Sequence, residues 1–201
     1  MLVALTSISA RADQCPPDAA TRLAFIEQGM GDAAHAAKVW AYSWGALWTT
    51  ATVGQGVLAF VSPSHSDRVD FGVGAFASAV GLVPTLLFQP RIIADERALR
   101  TFHGNTCERL VQAETLLDDS VKNEQTNTGL LSHVGNVLFN VGVGMILGVG
   151  YGHWQAAGLS MATGIPTGEI MIFTQPRRTE RLKVAFVPSE RALELRVGLS
   201  L

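Results

Sequence analysis

Residues 132–152 read SHVGNVLFNVGVGMILGVGYG, an apolar run long enough to cross a bilayer, crossed by glycines and three polar side chains. His133, Asn136, Asn140, Gly144 and Gly148 recur every three or four residues, so a helix gathers them on one face. Val137, Leu138, Met145 and Ile146 fall largely elsewhere. A face of small and amide side chains is what a membrane helix shows its neighbours. Glycines let backbones approach, amides hydrogen-bond across helices, and Gly144-x-x-x-Gly148 has the spacing of such contacts. The stretch therefore predicts an all-α membrane protein.

The composition agrees. Charged residues make up 16% of the 201, against roughly 25% in an ordinary soluble domain, while 48% are hydrophobic and 20 are glycine. Net charge is −2, which offers no basic field for a phosphate backbone and argues against nucleic acid as a partner.

Outward from this run lie three more candidate spans, making four transmembrane helices in all. Residues 39–61 (VWAYSWGALWTTATVGQGVLAFV) contain more Ser, Thr and Gln. Trp40, Trp44 and Trp48 form one stripe, expected to face lipid or the headgroup boundary, and Ser43, Thr50 and Gly54 form another, expected to face protein. Residues 71–88 (FGVGAFASAVGLVPTLLF) place Gly74, Ser78, Gly81 and Thr85 on one face, with Pro84 as a kink. Residues 155–173 are the least apolar, with Ser160, Gly164 and Thr167 together.

The connecting segments have the character of water-soluble structure. From Asp18, Leu23, Ile26, Met30, Ala33 and Ala37 mark an amphipathic helix that runs into the first span without a breaker. Residues 92–102 form a short helix. Asn105 with Glu108 three residues on is a near relative of the capping box, starting a second amphipathic helix with Leu110, Ala113, Leu117 and Val121 inward and a polar exit over 122–128. Alternation in VAFVP (184–188) and LELRVGLSL (193–201) predicts a short β-hairpin turning near Ser189-Glu190-Arg191.

The order of parts repeats. Cys15, an amphipathic helix, two apolar segments, Pro84-Thr85 and Gln89-Pro90-Arg91 are answered by Cys107, an amphipathic helix, two apolar segments, Pro166-Thr167 and Gln175-Pro176-Arg177. This divides the chain into a leading segment 1–14, helical-hairpin units 15–91 and 92–178, and a tail 179–201. Two crossings per unit make the units parallel, so both cysteines share a side and are expected to form a Cys15–Cys107 disulfide in an oxidising compartment. The opening MLVALTSISARA resembles a secretory signal, genuine or truncated, with Ala10-Arg11-Ala12 in the form of a cleavage site. The cysteine side is accordingly expected to be periplasmic or extracellular. Against this, Arg91, Arg177, Arg178 and Arg181 flank spans on that same side, where positive charge favours the cytoplasm.

No phosphate loop, dinucleotide fingerprint, zinc-binding helix or nucleophile elbow is present, and the five histidines stand singly, so no cofactor or metal is expected. The remaining leads are polar groups inside candidate spans. Glu169 is the one carboxylate there, close enough to a span end to reach the headgroups, and its register points it away from Ser160, Gly164 and Thr167. His133, Asn136 and Asn140 are expected to form a polar seam with Gln55 of the first span. The reading that follows is a non-enzymatic component of a bacterial-type envelope, assembling with other membrane proteins or itself through its glycine faces. A small transporter or channel lined by His133, Asn136, Asn140 and Glu169 is the first alternative, and a secreted helical-hairpin protein that inserts into membranes is the second.

Overall fold

The computed structural model describes residues 15–87 and 89–184. Regular structure among them is entirely helical: α1 (Ala19–Val61), α2 (His65–Leu87), α3 (Ile92–Thr101), α4 (Thr106–Asn127), α5 (Leu130–Met145) with a π-helical turn (Ile146–Gly150), α6 (Trp154–Phe173) and α7 (Arg178–Val184). The molecule has two unlike ends. The first half of α1 joins α3, α4 and α7 in a packed polar-end layer, and from it project two antiparallel hairpins, α1–α2 and α5–α6.

The polar end holds the hydrophobic core. The periodic residues of both amphipathic helices are buried there: Leu23, Ile26, Met30, Ala33 and Ala37 from α1, Leu110, Ala113, Leu117 and Val121 from α4, with Ile92, Ile93, Leu99 and Leu182. Burying each of the larger side chains is worth about 1.5–3 kcal/mol. Half-exposed ion pairs ring this core, Arg22–Glu114 at 2.6 Å, Lys183–Asp118 at 2.8 Å and Arg109–Glu27, and each adds about 1 kcal/mol or less. Cys15 and Cys107 are disulfide-bonded, with Cα atoms 5.6 Å apart, and tie the start of α1 to the start of α4. Asn105 and Glu108 form the complete capping box.

α1 is 43 residues long and carries both the amphipathic face and the first candidate span without interruption. Ser62 ends it with ψ 132°, as expected of a residue before proline. Ser64 then caps α2, accepting from Asp67 N.

The polar run 122–128, expected as an exit, is instead helical as far as Asn127. Its reason is Glu124, a buried carboxylate that accepts from the backbone N–H groups of Thr179 and Glu180 at 3.2 and 3.0 Å and so caps α7. α7 begins at Arg178, the last residue of the second unit, and otherwise occupies residues the sequence assigns to the tail. Of the predicted β-hairpin, Val184 is the last residue of α7, and 185–201 lie outside the described residues, as does the signal-like segment 1–14.

Two stretches, within His65–Thr101 and Thr106–Gly150, are long and apolar enough to cross a bilayer. α1 and α6, expected as the first and fourth spans, are not among them, because their Ser, Thr, Gln and Glu lower the hydropathy.

Candidate functional site

Each hairpin closes by setting glycines against larger side chains. In α1–α2, Gly81 lies under the Trp48 ring, Gly74 under Gln55, and Gly45 against Thr85. In α5–α6, Gly144 faces Met161, Gly148 faces Trp154, Gly164 faces Asn140 and Gly168 faces Asn136. A Cβ on Gly74, Gly164 or Gly168 would overlap the facing amide oxygen, so a larger residue there displaces the Gln55, Asn140 or Asn136 side chain. Gly144-x-x-x-Gly148 thus serves contact within the chain. Gly168 was not singled out in the sequence, although Gly164-x-x-x-Gly168 repeats the same spacing opposite Asn136-x-x-x-Asn140.

The second seam holds a ladder of polar bonds. His133 Nδ1 lies 2.5 Å from Glu169 Oε2. Asn136 Nδ2 donates to Glu169 Oε1 at 2.8 Å and to the carbonyl of Ile165 at 3.0 Å, and Asn140 Nδ2 donates to Asn136 Oδ1 at 2.9 Å. Glu169 therefore points into the seam. A regular helix with Ser160, Gly164 and Thr167 inward would have turned it away; the inward face is instead Met161, Gly164 and Gly168, from which Glu169 reaches its partners. Gln55 does not join this ladder. Its Nε2 donates to Ser78 Oγ at 3.0 Å, inside the first hairpin.

The tryptophans also depart from expectation. Trp40 and Trp44 donate their indole N–H groups to Thr174 Oγ1 at 3.3 and 3.2 Å, and Trp48 points its own at Met171 Sδ, 3.4 Å away. They bridge toward the end of α6, while Ser43, Thr50 and Gly54 are exposed. An indole N–H needs an acceptor that a hydrocarbon neighbour cannot supply, and this decides the stripe.

Between the hairpins lies a cavity of about 640 Å³, from the polar-end layer at Pro90, Asn127 and Gln175 to the middle of the helices. Trp48, Phe139, Met171 and Ile172 line its apolar walls; Gln55, Ser78, Asn136, Asn140, Ser160 and Thr163 contribute uncharged polar groups. A second cavity of about 350 Å³ extends to the far turns, past Asp67, Asp70 and Leu159. The two share Gln55, Gly74, Ser160 and Thr163. His133 and Glu169, expected on a solute path, lie outside both linings.

At the far end the two turns meet. His153 follows Gly152, whose φ of 76° makes the turn, and its ring lies between Asp70 (Nδ1–Oδ1 2.5 Å) and Ser66 (Nε2–Oγ 3.2 Å). Ser66 and Asp70 are one turn apart on α2, but His153 is 87 and 83 positions from them, and no spacing rule brings it to that face. No group of His, Cys, Asp and Glu suited to a metal ion occurs among the described residues.

Fold and site together define an all-helical protein with two membrane-length apolar helices and a cleft between two hairpins. No protein-family model, curated protein or solved structure matches the chain, so its function rests on its own residues.

Proposed function

We propose that the chain is a multi-pass membrane protein that admits small uncharged solutes between two parallel helical hairpins, the duplicated units of the sequence. The membrane placement draws support from exposure. Only 12% and 17% of the residues in the two apolar windows are buried within the chain. Phe60, Leu87 and Leu131 stand 74–87% exposed, an apolar surface that water does not tolerate over such an area and lipid does. The solute reading is carried by one observation, the meeting of two cavities at Gln55, Gly74, Ser160 and Thr163. The larger cavity has the size of a small-molecule site, and its polar lining is uncharged, which suits solutes that pass without counter-ions.

Swelling of proteoliposomes in iso-osmotic glycerol or urea tests this reading. Swelling faster than empty vesicles, returned to the empty rate by Ser160→Trp at the shared waist, is the expected result. Equal rates for empty vesicles and for vesicles holding the unaltered protein count against it.

Assembly with other membrane proteins, or with a second copy, is a second reading, but its carriers change. The glycines first assigned to it face side chains of this chain, whereas Gly135 and Gly142 on the exposed side of α5 meet open space. Gly142→Ile is therefore the variant expected to release a partner without disturbing the hairpin, and a monomer before and after would remove this reading.

A further inference from the structure

We infer that Ser66, His153 and Asp70 form a nucleophile–base–carboxylate triad at the far turns, able to hydrolyse an acyl ester whose acyl chain enters the adjacent cavity. The inference goes beyond the solute reading and does not depend on it.

The geometry is specific in its atoms. The Asp70 carboxylate sits on His153 Nδ1, which places the imidazole proton there and leaves Nε2 as the acceptor. Nε2 is the nitrogen facing Ser66 Oγ, at 3.2 Å, within reach for a base that takes the hydroxyl proton. The His153 and Asp70 side chains are 21% and 29% exposed, whereas Ser66 is exposed.

Two further features suit an acyl substrate. Ser66 is the second residue of α2, and of the first-turn backbone N–H groups, which lack intrahelical acceptors, Asp67 N is taken by Ser64 Oγ, leaving those of His65 and Ser66 as the donors for an oxyanion. Asp70 is the member of the triad that lines the smaller cavity, whose mouth also carries Asp67 and whose apolar wall of Phe71, Leu147, Ala156 and Leu159 can take the acyl chain.

The reaction balances with water as the second substrate. Ser66 Oγ attacks the ester carbonyl carbon while its proton passes to His153 Nε2. The tetrahedral oxyanion collapses, the bond to the alcohol oxygen breaks, and that oxygen takes the proton from Nε2. Water then attacks the acyl-Ser66 ester and gives its proton to Nε2; the carbon–Oγ bond breaks, Oγ recovers the proton, and the carboxylic acid leaves. Ser66 and His153 are the catalytic residues, and Asp70 is a positioning residue acting through His153.

The full-length protein in detergent, treated with a fluorophosphonate probe and mapped by mass spectrometry, tests the proposal, with hydrolysis of p-nitrophenyl butyrate followed in parallel. Ser66 is expected to be phosphonylated and the ester cleaved, and both are lost in Ser66→Ala, an exposed change that leaves the helical circular dichroism intact. Asp70→Asn is expected to slow labelling by a factor on the order of 10³ or more and to change its pH profile, because the wrong imidazole tautomer is then favoured. Absence of label on Ser66 in protein that melts normally overturns the triad. So does labelling that survives His153→Gln, since an exposed serine reacting without its base is no triad.

Discussion

The two hairpins solve the same packing problem by different means. In α1–α2 the glycines sit under an indole, an amide and a threonine, and one cross-helix side-chain bond, Gln55 to Ser78, crosses the seam. In α5–α6 the seam is a ladder in which His133, Asn136, Asn140 and Glu169 bond one another. The difference follows from how each hairpin is anchored. α1 is continuous with the packed core at the polar end, so the position of the first hairpin is set by a helix already buried along half its length. Neither helix of the second hairpin is continuous with a helix of that core: short connections at 128–129 and 174–177 join it to the layer, with Trp40 and Trp44 reaching Thr174, and the register of α5 on α6 is left to the seam itself. Directional hydrogen bonds do this where apolar contacts, which tolerate sliding, do not.

Removing the disulfide gives the largest expected effect. The bond closes a loop with a sequence separation of 92, for which chain entropy predicts a contribution on the order of 4–5 kcal/mol. Cys15→Ser with Cys107→Ser should lower the melting temperature of the polar-end core while His133, Asn136 and Glu169 keep their contacts. Denaturation followed separately by core and hairpin probes is the measurement, and simultaneous loss of both would show that the hairpins are not independently held.

Next comes the fit of the second seam. Gly164→Leu drives a side chain into Asn140 and is expected to cost about 1–3 kcal/mol or more, whereas Gly54→Leu in the first hairpin, where a side chain meets open space, costs little. Comparable losses, measured by unfolding in mixed micelles, would break the comparison.

The smallest effects separate ladder from single bond. Gln55→Leu gives up one interhelical bond, worth about 0.6 kcal/mol in a membrane setting, while Asn136→Leu gives up several and approaches about 1.7 kcal/mol. The reverse order in the same unfolding assay would mean that the ladder does not set the register.

Much of this was legible in the chain. The buried faces of α1 and α4, the capping box and the cysteine pairing follow from 3.6-residue periodicity and matched positions, which are local signals or nearly so. What escaped has a common cause. The direction of the Trp40–Trp48 stripe depends on where an acceptor lies on a helix more than 120 residues away. Glu124 looks like solvent-facing charge until the N-terminus of α7 is set above it. The Ser66–His153–Asp70 contact joins two turns with no relation in sequence except that each ends a hairpin. Each is a polar group whose partner is chosen by tertiary placement, and residue spacing does not encode that choice.

The uninterrupted α1 has a mechanical consequence. At 1.5 Å per residue its 43 residues make a strut about 65 Å long, its first half clamped in the disulfide-tied core and its second half packed along α2 to the far turn. A strut so held is a lever. Tilting the clamped half by about 5° carries the far tip about 3 Å, over an arm of roughly 30 Å beyond the core. That displacement is comparable with the 3.2 Å between Ser66 and His153, so a small rearrangement among the buried side chains of one end is felt where the two turns touch at the other.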